Sequence, residues 1–212
     1  MTGLIAEQMI RRFFRLRLML PVLIIVAIII LCFFNEQILV HGFEILLFII
    51  IPVSGLLISV QDYGNNWYKY EKILPISGNK IVLSKLLCYM IDVLMAFALG
   101  ALFCGIAFFI DNSLFDLGLI DTFSILVILL TVVLFIGALF FGGIYFIGVG
   151  RAEIWLLMSI LISLVATAAV VISLNKSGIG KIPGMLIMLC IAFLALVLSC
   201  SIAGKSFGRS KL

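Results

Sequence analysis

Residues that could carry chemistry are scarce, and most of them lie in short polar breaks between long apolar runs. Asp92 is the only acid well inside an apolar run. A carboxylate at that depth is a candidate functional group, because burying it in a lipid environment is costly. It follows Lys85 by two helical turns along the same face. Three roles stay open for Asp92: a structural polar contact, a part in cargo handling or gating, and proton coupling.

The sequence does not indicate a metal site, a catalytic histidine or a phosphate-binding loop. The five cysteines all fall in apolar runs without CxxC spacing, which predicts buried thiols rather than a metal site. His41 stands alone in a short polar break and is interpreted as a solvated loop residue. Gly204-Lys205-Ser206 resembles the end of a phosphate-binding loop, but Ser199 stands where the loop requires its first glycine. We therefore expect no catalytic site, metal site or cofactor site on this chain.

The composition places most of the chain in lipid. Hydrophobic residues make up 65% and charged residues 11% of the 212 residues, against about 45–50% and ~25% in soluble domains. The mean hydropathy of +1.40 excludes an ordinary soluble enzyme, and the low charge excludes a disordered chain. The net charge of +4 is too small and too dispersed for nucleic-acid binding.

Six apolar runs are long enough to cross a bilayer, which takes roughly 20 residues. Backbone amides in hydrocarbon must bond within their own segment, so each run is predicted to be a helix. The prediction is an all-α membrane protein with a single transmembrane domain over residues 1–212, so that any ATPase, receptor or enzyme module would be on another chain. The predicted spans are residues 18–34, 43–60, 86–110, 123–149, 154–174 and 183–203.

Basic residues predict the orientation, because they are enriched on the cytoplasmic side. With both termini and the breaks at 61–85 and 150–153 inside, twelve of the fourteen Lys and Arg residues are cytoplasmic. Only Lys176 and Lys181 are then outside, and Glu44 lies at the outer edge. The expected protein is a multi-pass protein of a bacterial cell membrane, with both termini in the cytoplasm.

Residues 2–17 form an amphipathic pattern ahead of the first span. Arg11, Arg12 and Arg15 follow one helical stripe, and Phe13 and Phe14 lie on the opposite arc. This predicts an elbow helix that lies flat at the membrane interface. Two interpretations remain open: a topology anchor, or an elbow that also contacts a cytoplasmic partner.

Residues 61–85 form the longest polar segment. Turn residues precede two predicted helical turns over residues 67–74, Pro75 ends them, and a helix restarts at Ile81. Structure, aromatic side chains and mixed charge favour docking of this loop, Trp67 included, into a protein groove. The alternative is an interfacial helix whose Trp, Tyr and Lys side chains snorkel.

Arg151 and Glu153 lie in the tight turn between the fourth and fifth predicted spans. We predict an ion pair that stabilises this turn. A minor contact with a partner subunit is the alternative.

This layout, the elbow helix and the run E-K-I-L-P-I-S-x-x-K-I-V-x-S-K at residues 71–85 resemble permease subunits of type-2 ATP-binding-cassette (ABC) exporters. The resemblance implies that the loop is a coupling helix seated in a cleft of a separate ATPase subunit. It also implies two ATPase copies, which bind ATP and Mg, and pairing with a second or related permease. The implied docking residues are Tyr70, Glu71, Lys72, Leu74, Pro75, Ile76, Ser77, Asn79 and Lys80.

The small size and short outer loops are most similar to permeases that export phenol-soluble modulins or antimicrobial peptides. The break at 175–182 is too short for the re-entrant hairpin that many family members have. The resemblance implies a homodimer or heterodimer in lipid that exports amphipathic peptides. Two alternatives remain: an ATP-independent channel or pore, and an ABC exporter of lipid-like molecules or drugs.

Overall fold

The computed structural model describes residues 37–64, 77–110, 118–147 and 151–209, together with Ile10, Leu23, Ile25 and Val26. The four described ranges contain long helices and no strand. The helices are α1 (Gln37–Gly64), α2 (Gly78–Ile110), α3 (Gly118–Ile147), α4 (Ala152–Lys176) and α5 (Lys181–Arg209).

All five helices are long and apolar enough to cross a membrane. They coincide with the second to sixth predicted spans, so the all-helical, multi-pass prediction is confirmed for this part of the chain. The first predicted span at 18–34 falls outside the described residues, apart from Leu23, Ile25 and Val26. The elbow at 2–17 also falls outside them, apart from Ile10.

The helices extend beyond the apolar runs that predicted them. α2 begins at Gly78, ahead of both the helix restart predicted at Ile81 and the apolar run from Leu86, and α1 continues to Gly64. Hydropathy marks where a helix enters lipid, but the backbone hydrogen bonds continue as long as the residues tolerate a helix. Ends with polar residues such as Gln61 and Asn79 are therefore helical, although the sequence predicted loop there.

The core lies along α1 and α3. In each of these two helices, 67% of the most apolar 18-residue stretch is buried, against 22% of the corresponding stretch in α4 and in α5. α3 packs most extensively on α5, and α1 packs on α2. α4 and α5 instead leave large apolar side chains exposed, as expected of helices that face lipid or another apolar surface.

Tyr89 of α2 is the central contact of this core. Its hydroxyl donates a 2.6 Å hydrogen bond to the carbonyl oxygen of Val133. Its ring lies edge-on to Phe141, with centroids 5.8 Å apart. The ring occupies the space where a Cβ on Gly137 would lie. A glycine at 137 is therefore what lets the tyrosine pack against the backbone of α3.

α4 buries a single stripe of small and hydroxylated residues: Ala152, Leu156, Ser159, Ser163 and Thr167. Trp155 joins the helix to α3, because its indole N–H donates to the carbonyl of Leu139 at 3.1 Å. The same indole fills the place of a Cβ on Gly143. The two helices therefore pack closely at Gly143.

The Tyr89–Gly137 contact leads to a stability prediction. Gly137→Ala should lower the free energy of unfolding by about 1–3 kcal/mol, because the added methyl overlaps the tyrosine ring and strains its hydrogen bond. Gly105→Ala is the control, since no atom lies within 4 Å of a Cβ there. The control should be neutral or stabilising, by up to about 1 kcal/mol. Thermal unfolding in detergent measures both, and equal destabilisation would contradict the packing described.

Candidate functional site

The start of α2 holds the described part of the predicted docking set. The carbonyl of Ser77 accepts hydrogen bonds from the backbone N–H of Lys80 at 2.9 Å and of Ile81 at 3.3 Å, so the helix begins directly after it. Ser77, Asn79 and Lys80 are exposed, whereas Gly78 is buried. These three residues are therefore together at an accessible helix end.

The remaining docking and elbow residues fall outside the described residues. Their assignment stays a prediction. They are Trp67, Tyr70, Glu71, Lys72, Leu74, Pro75, Ile76, Arg11, Arg12 and Arg15.

The start of α2 is fastened to the end of α5. Ile81 and Val82 form a buried cluster with Ala203. Beside it, the Oδ1 atom of Asn79 lies where a Cβ on Gly204 would be. We call these five residues the inner joint. Because these α2 residues pack directly on Ala203 and Gly204, a displacement of the start of α2 would also act on the end of α5.

Two oppositely charged residues lie buried along α2. Lys85 is 0% exposed and Asp92 is 3% exposed. Both take part in polar or electrostatic interactions, as burial of charged groups requires. The sequence places Lys85 at the end of the polar segment 61–85, after a helix restart at Ile81; in the structure α2 starts at Gly78, and Lys85 is buried on it. The three possible roles of Asp92 stay predictions.

Arg151 and Glu153 lie at the start of α4. Arg151 occupies the position before the first residue of the helix and makes no side-chain cap. Both side chains are exposed, and the described part of the chain contains no ion pair between them. Residues two apart on a helix do not face each other. Glu153 lies in the first turn of α4, where its negative charge interacts favourably with the positive end of the helix dipole.

A buried carboxylate in α1 was missed by the sequence analysis. Glu44 is 0% exposed. One of its oxygens pairs with Nδ1 of His41 at 3.1 Å, and the other accepts a hydrogen bond from the thiol of Cys104 on α2. We call these three residues the Glu44 cluster. Within the described residues, no group of His, Cys, Asp or Glu side chains is arranged to hold a metal.

The interpretation of His41 as a solvated loop residue is therefore wrong. α1 begins at Gln37, which places His41 inside the helix one turn before Glu44. The i,i+3 spacing of the two was a usable signal, because such residues are neighbours on a helix. Cys104, sixty positions away, carried no such signal.

Two cavities of the described residues lie away from the inner joint. One of about 220 Å³ lies between α2 and α3, is lined by three phenylalanines among other residues and includes Cys104 of the Glu44 cluster. Another, of about 190 Å³, lies among α3, α4 and α5. Ser77, Asn79 and Lys80, the described residues of the predicted docking set, line neither of them.

The Gly204-Lys205-Ser206 tripeptide lies within α5, which is a continuous helix from Lys181 to Arg209. A phosphate-binding loop instead connects a strand to a helix. This segment therefore does not form such a loop.

Comparison with known proteins gives one match. A family model described as ABC-2 family transporter protein matches residues 3–207. No curated protein sequence and no solved structure matches the chain.

The Glu44 cluster leads to a second stability prediction. Glu44→Ala should lower the free energy of unfolding by about 1–3 kcal/mol, because it removes the acceptor of the buried Cys104 thiol and the partner of the half-buried His41 ring. Glu153→Ala makes the same substitution at an exposed position and should change stability by no more than about 0.5 kcal/mol. Thermal unfolding of both variants in detergent checks this. If the two changes were the same, the carboxylate at residue 44 would have no structural role.

Proposed function

The chain belongs to the ABC-2 family of transporter proteins, and from this premise we propose that it is the permease subunit of an ABC exporter of amphipathic peptides. The observation that supports the docking role most directly is the inner joint. It presents Ser77, Asn79 and Lys80 at an accessible helix end and ties that end to α5.

In this proposal the motor is on a separate chain. Two copies of an ATPase subunit bind ATP and Mg, and each receives the segment from Trp67 to Lys80 of one permease. A second copy of the chain, or a related permease, completes the conduit in a bacterial cell membrane. This chain supplies no catalytic group of its own, and both of its termini face the cytoplasm.

The packing offers a route for motion from the docking segment into the membrane. A shift at the start of α2 acts on Ala203 and Gly204 of α5. α5 in turn packs along α3 more extensively than any other pair of the described helices. Nucleotide-driven movement of the docking segment would therefore reposition α3 and α5, and alternating access follows if these helices border the conduit.

The proposed cargo is an amphipathic peptide, such as a phenol-soluble modulin or an antimicrobial peptide. The buried charged side chains of the described spans, Glu44, Asp62, Lys85 and Asp92, are all engaged with other groups. The surfaces that remain exposed on α4 and α5 are mostly apolar. Such surfaces suit a partner with a large apolar face and offer little to a small hydrophilic ion.

Exchanging two charges tests the docking assignment. Glu71→Lys combined with Lys72→Glu keeps the net charge and should reduce co-purification of the ATPase subunit at least tenfold, because like charges would then face each other in the cleft. Arg151→Glu combined with Glu153→Arg is the matched control on the neighbouring inner turn and should retain most of the ATPase. Pull-down from mild detergent, with membrane insertion checked separately, measures both. An ATPase that stays bound to the first variant would refute the assignment.

Transport by the reconstituted complex tests the function itself. Inside-out vesicles containing this permease and its ATPase should accumulate a fluorescently labelled amphipathic helical peptide only in the presence of hydrolysable ATP. Vesicles with the permease alone should not accumulate it. Peptide movement by the permease alone, unchanged by ATP, would favour a channel and overturn the exporter proposal.

A further inference from the structure

We propose that the 190 Å³ cavity among α3, α4 and α5 binds an anionic phospholipid, with one acyl chain in the cavity and the phosphate headgroup at Lys181. We call it the lipid cavity. This inference goes beyond the exporter proposal and holds whatever cargo the protein moves.

The interior of the lipid cavity is apolar and adaptable. Gly184, Met185 and Met188 of α5 form a buried wall. The hydroxyl of Ser124 on α3 contacts the sulfur of Met185 at 3.9 Å. Thioether side chains adjust their shape to flexible apolar groups. The interior is therefore suited to a hydrocarbon chain rather than to a rigid polar ligand.

The mouth of the cavity is polar and cationic. Asn175 and Lys181 line it, at the two ends of the short turn that joins α4 to α5. Both side chains are exposed. Lys181 already takes part in an interaction within the protein, but an ammonium group has three N–H donors and can therefore also donate to the oxygens of a phosphate. Polar head and apolar interior together match the two parts of an anionic phospholipid.

The volume argues against a cargo peptide in this cavity. One turn of an α-helix, about 10 Å wide and 5.4 Å long, occupies roughly 400 Å³. The cavity holds about 190 Å³ and is therefore too small for a helical peptide. Part of a single extended chain fits.

Apolar residues next to the lipid cavity would let an acyl chain enter it from the bilayer. Ile182, Leu186 and Ile187 near the start of α5 are exposed apolar residues. They continue the apolar wall of the cavity onto the outer surface of the helix. With the orientation expected from the basic residues, this turn lies at the outer leaflet, where an anionic lipid can enter sideways.

Two lysine variants test the headgroup contact. The full-length chain in mild detergent is titrated with dioleoyl phosphatidylglycerol or dioleoyl phosphatidylcholine, and native mass spectrometry measures the bound fraction. Phosphatidylglycerol should bind more tightly, and Lys181→Gln should weaken it about fivefold. Lys176→Gln removes the same charge from the same turn, but residue 176 does not line the cavity, so its effect should stay within about twofold.

A glycine variant tests occupancy of the cavity itself. A Cβ on Gly184 meets only the Cδ1 atom of Leu174, at 4.0 Å, so Gly184→Leu should fill the cavity without a backbone clash and weaken binding of both lipids at least tenfold. Gly105→Leu, which adds the same side chain beside the other cavity, should leave binding unchanged. Thermal unfolding verifies that both glycine variants are folded. If either one fails to fold, the two lysine variants still test the proposal.

Three outcomes would overturn the proposal. Equal losses from Lys181→Gln and Lys176→Gln would mean general surface attraction. Unchanged binding to a folded Gly184→Leu variant would mean that no chain enters the cavity. Equal affinity of the wild-type protein for the two lipids would mean that the negative charge of the headgroup does not contribute to binding.

Discussion

The structure depends on one constraint: polar groups that lie in hydrocarbon must find their partners inside the protein, because no water is there to replace them. Hydroxyl side chains meet it locally. Ser84 donates to the carbonyl of Ile81 at 2.7 Å, and Thr131 donates to that of Val127 at 2.8 Å. The carboxylate of Glu44 meets it across two helices, through His41 and Cys104. In these cases a polar residue is tolerated in a span because it closes a hydrogen bond, whereas the buried hydroxyl of Thr167 on α4 has no hydrogen-bond partner among the described residues.

In lipid, helices associate through close packing, because the hydrophobic effect gives little attraction between them there. Helices in a bilayer associate through van der Waals contact and hydrogen bonds, which requires small residues at the contact points. In this chain the small residue is repeatedly a glycine opposite a large or polar side chain. Tyr89 lies against Gly137, Trp155 against Gly143, and Asn79 against Gly204. The aromatic ring or amide then reaches the backbone of the facing helix.

The sequence was sufficient to predict the five described spans, because about 20 consecutive apolar residues have few alternatives to a membrane helix. It was insufficient where local polarity and tertiary contacts disagree. His41 was interpreted as a solvated loop residue, and Lys85 was assigned to the end of the polar segment 61–85, because charged and polar residues usually mark the membrane surface. In the fold His41 lies within α1, and Lys85 is fully buried on α2. The partner of Glu44 on α2 could not be anticipated, since no local pattern links residues 44 and 104.

The candidate site shows the same division. Three of the predicted docking residues, Ser77, Asn79 and Lys80, were expected in a turn just before a helix that restarts at Ile81, and the helix begins at Gly78. The contact of Asn79 with Gly204 of α5 was not predictable, because it depends on how the last helix returns beside α2. The docking role of the aromatic and charged residues ahead of them is a prediction that rests on the resemblance.

α2 is unbroken from Gly78 to Ile110 and contains no proline. At 1.5 Å per residue its 33 residues span about 50 Å, more than the ~30 Å hydrocarbon thickness of a bilayer. One end carries the inner joint, and Cys104 beside Glu44 lies near the other. Because no break interrupts α2, a small tilt at its Gly78 end would also displace the residues at its opposite end. In the proposed exporter, rearrangements on the two sides of the membrane would then be coupled through this one helix.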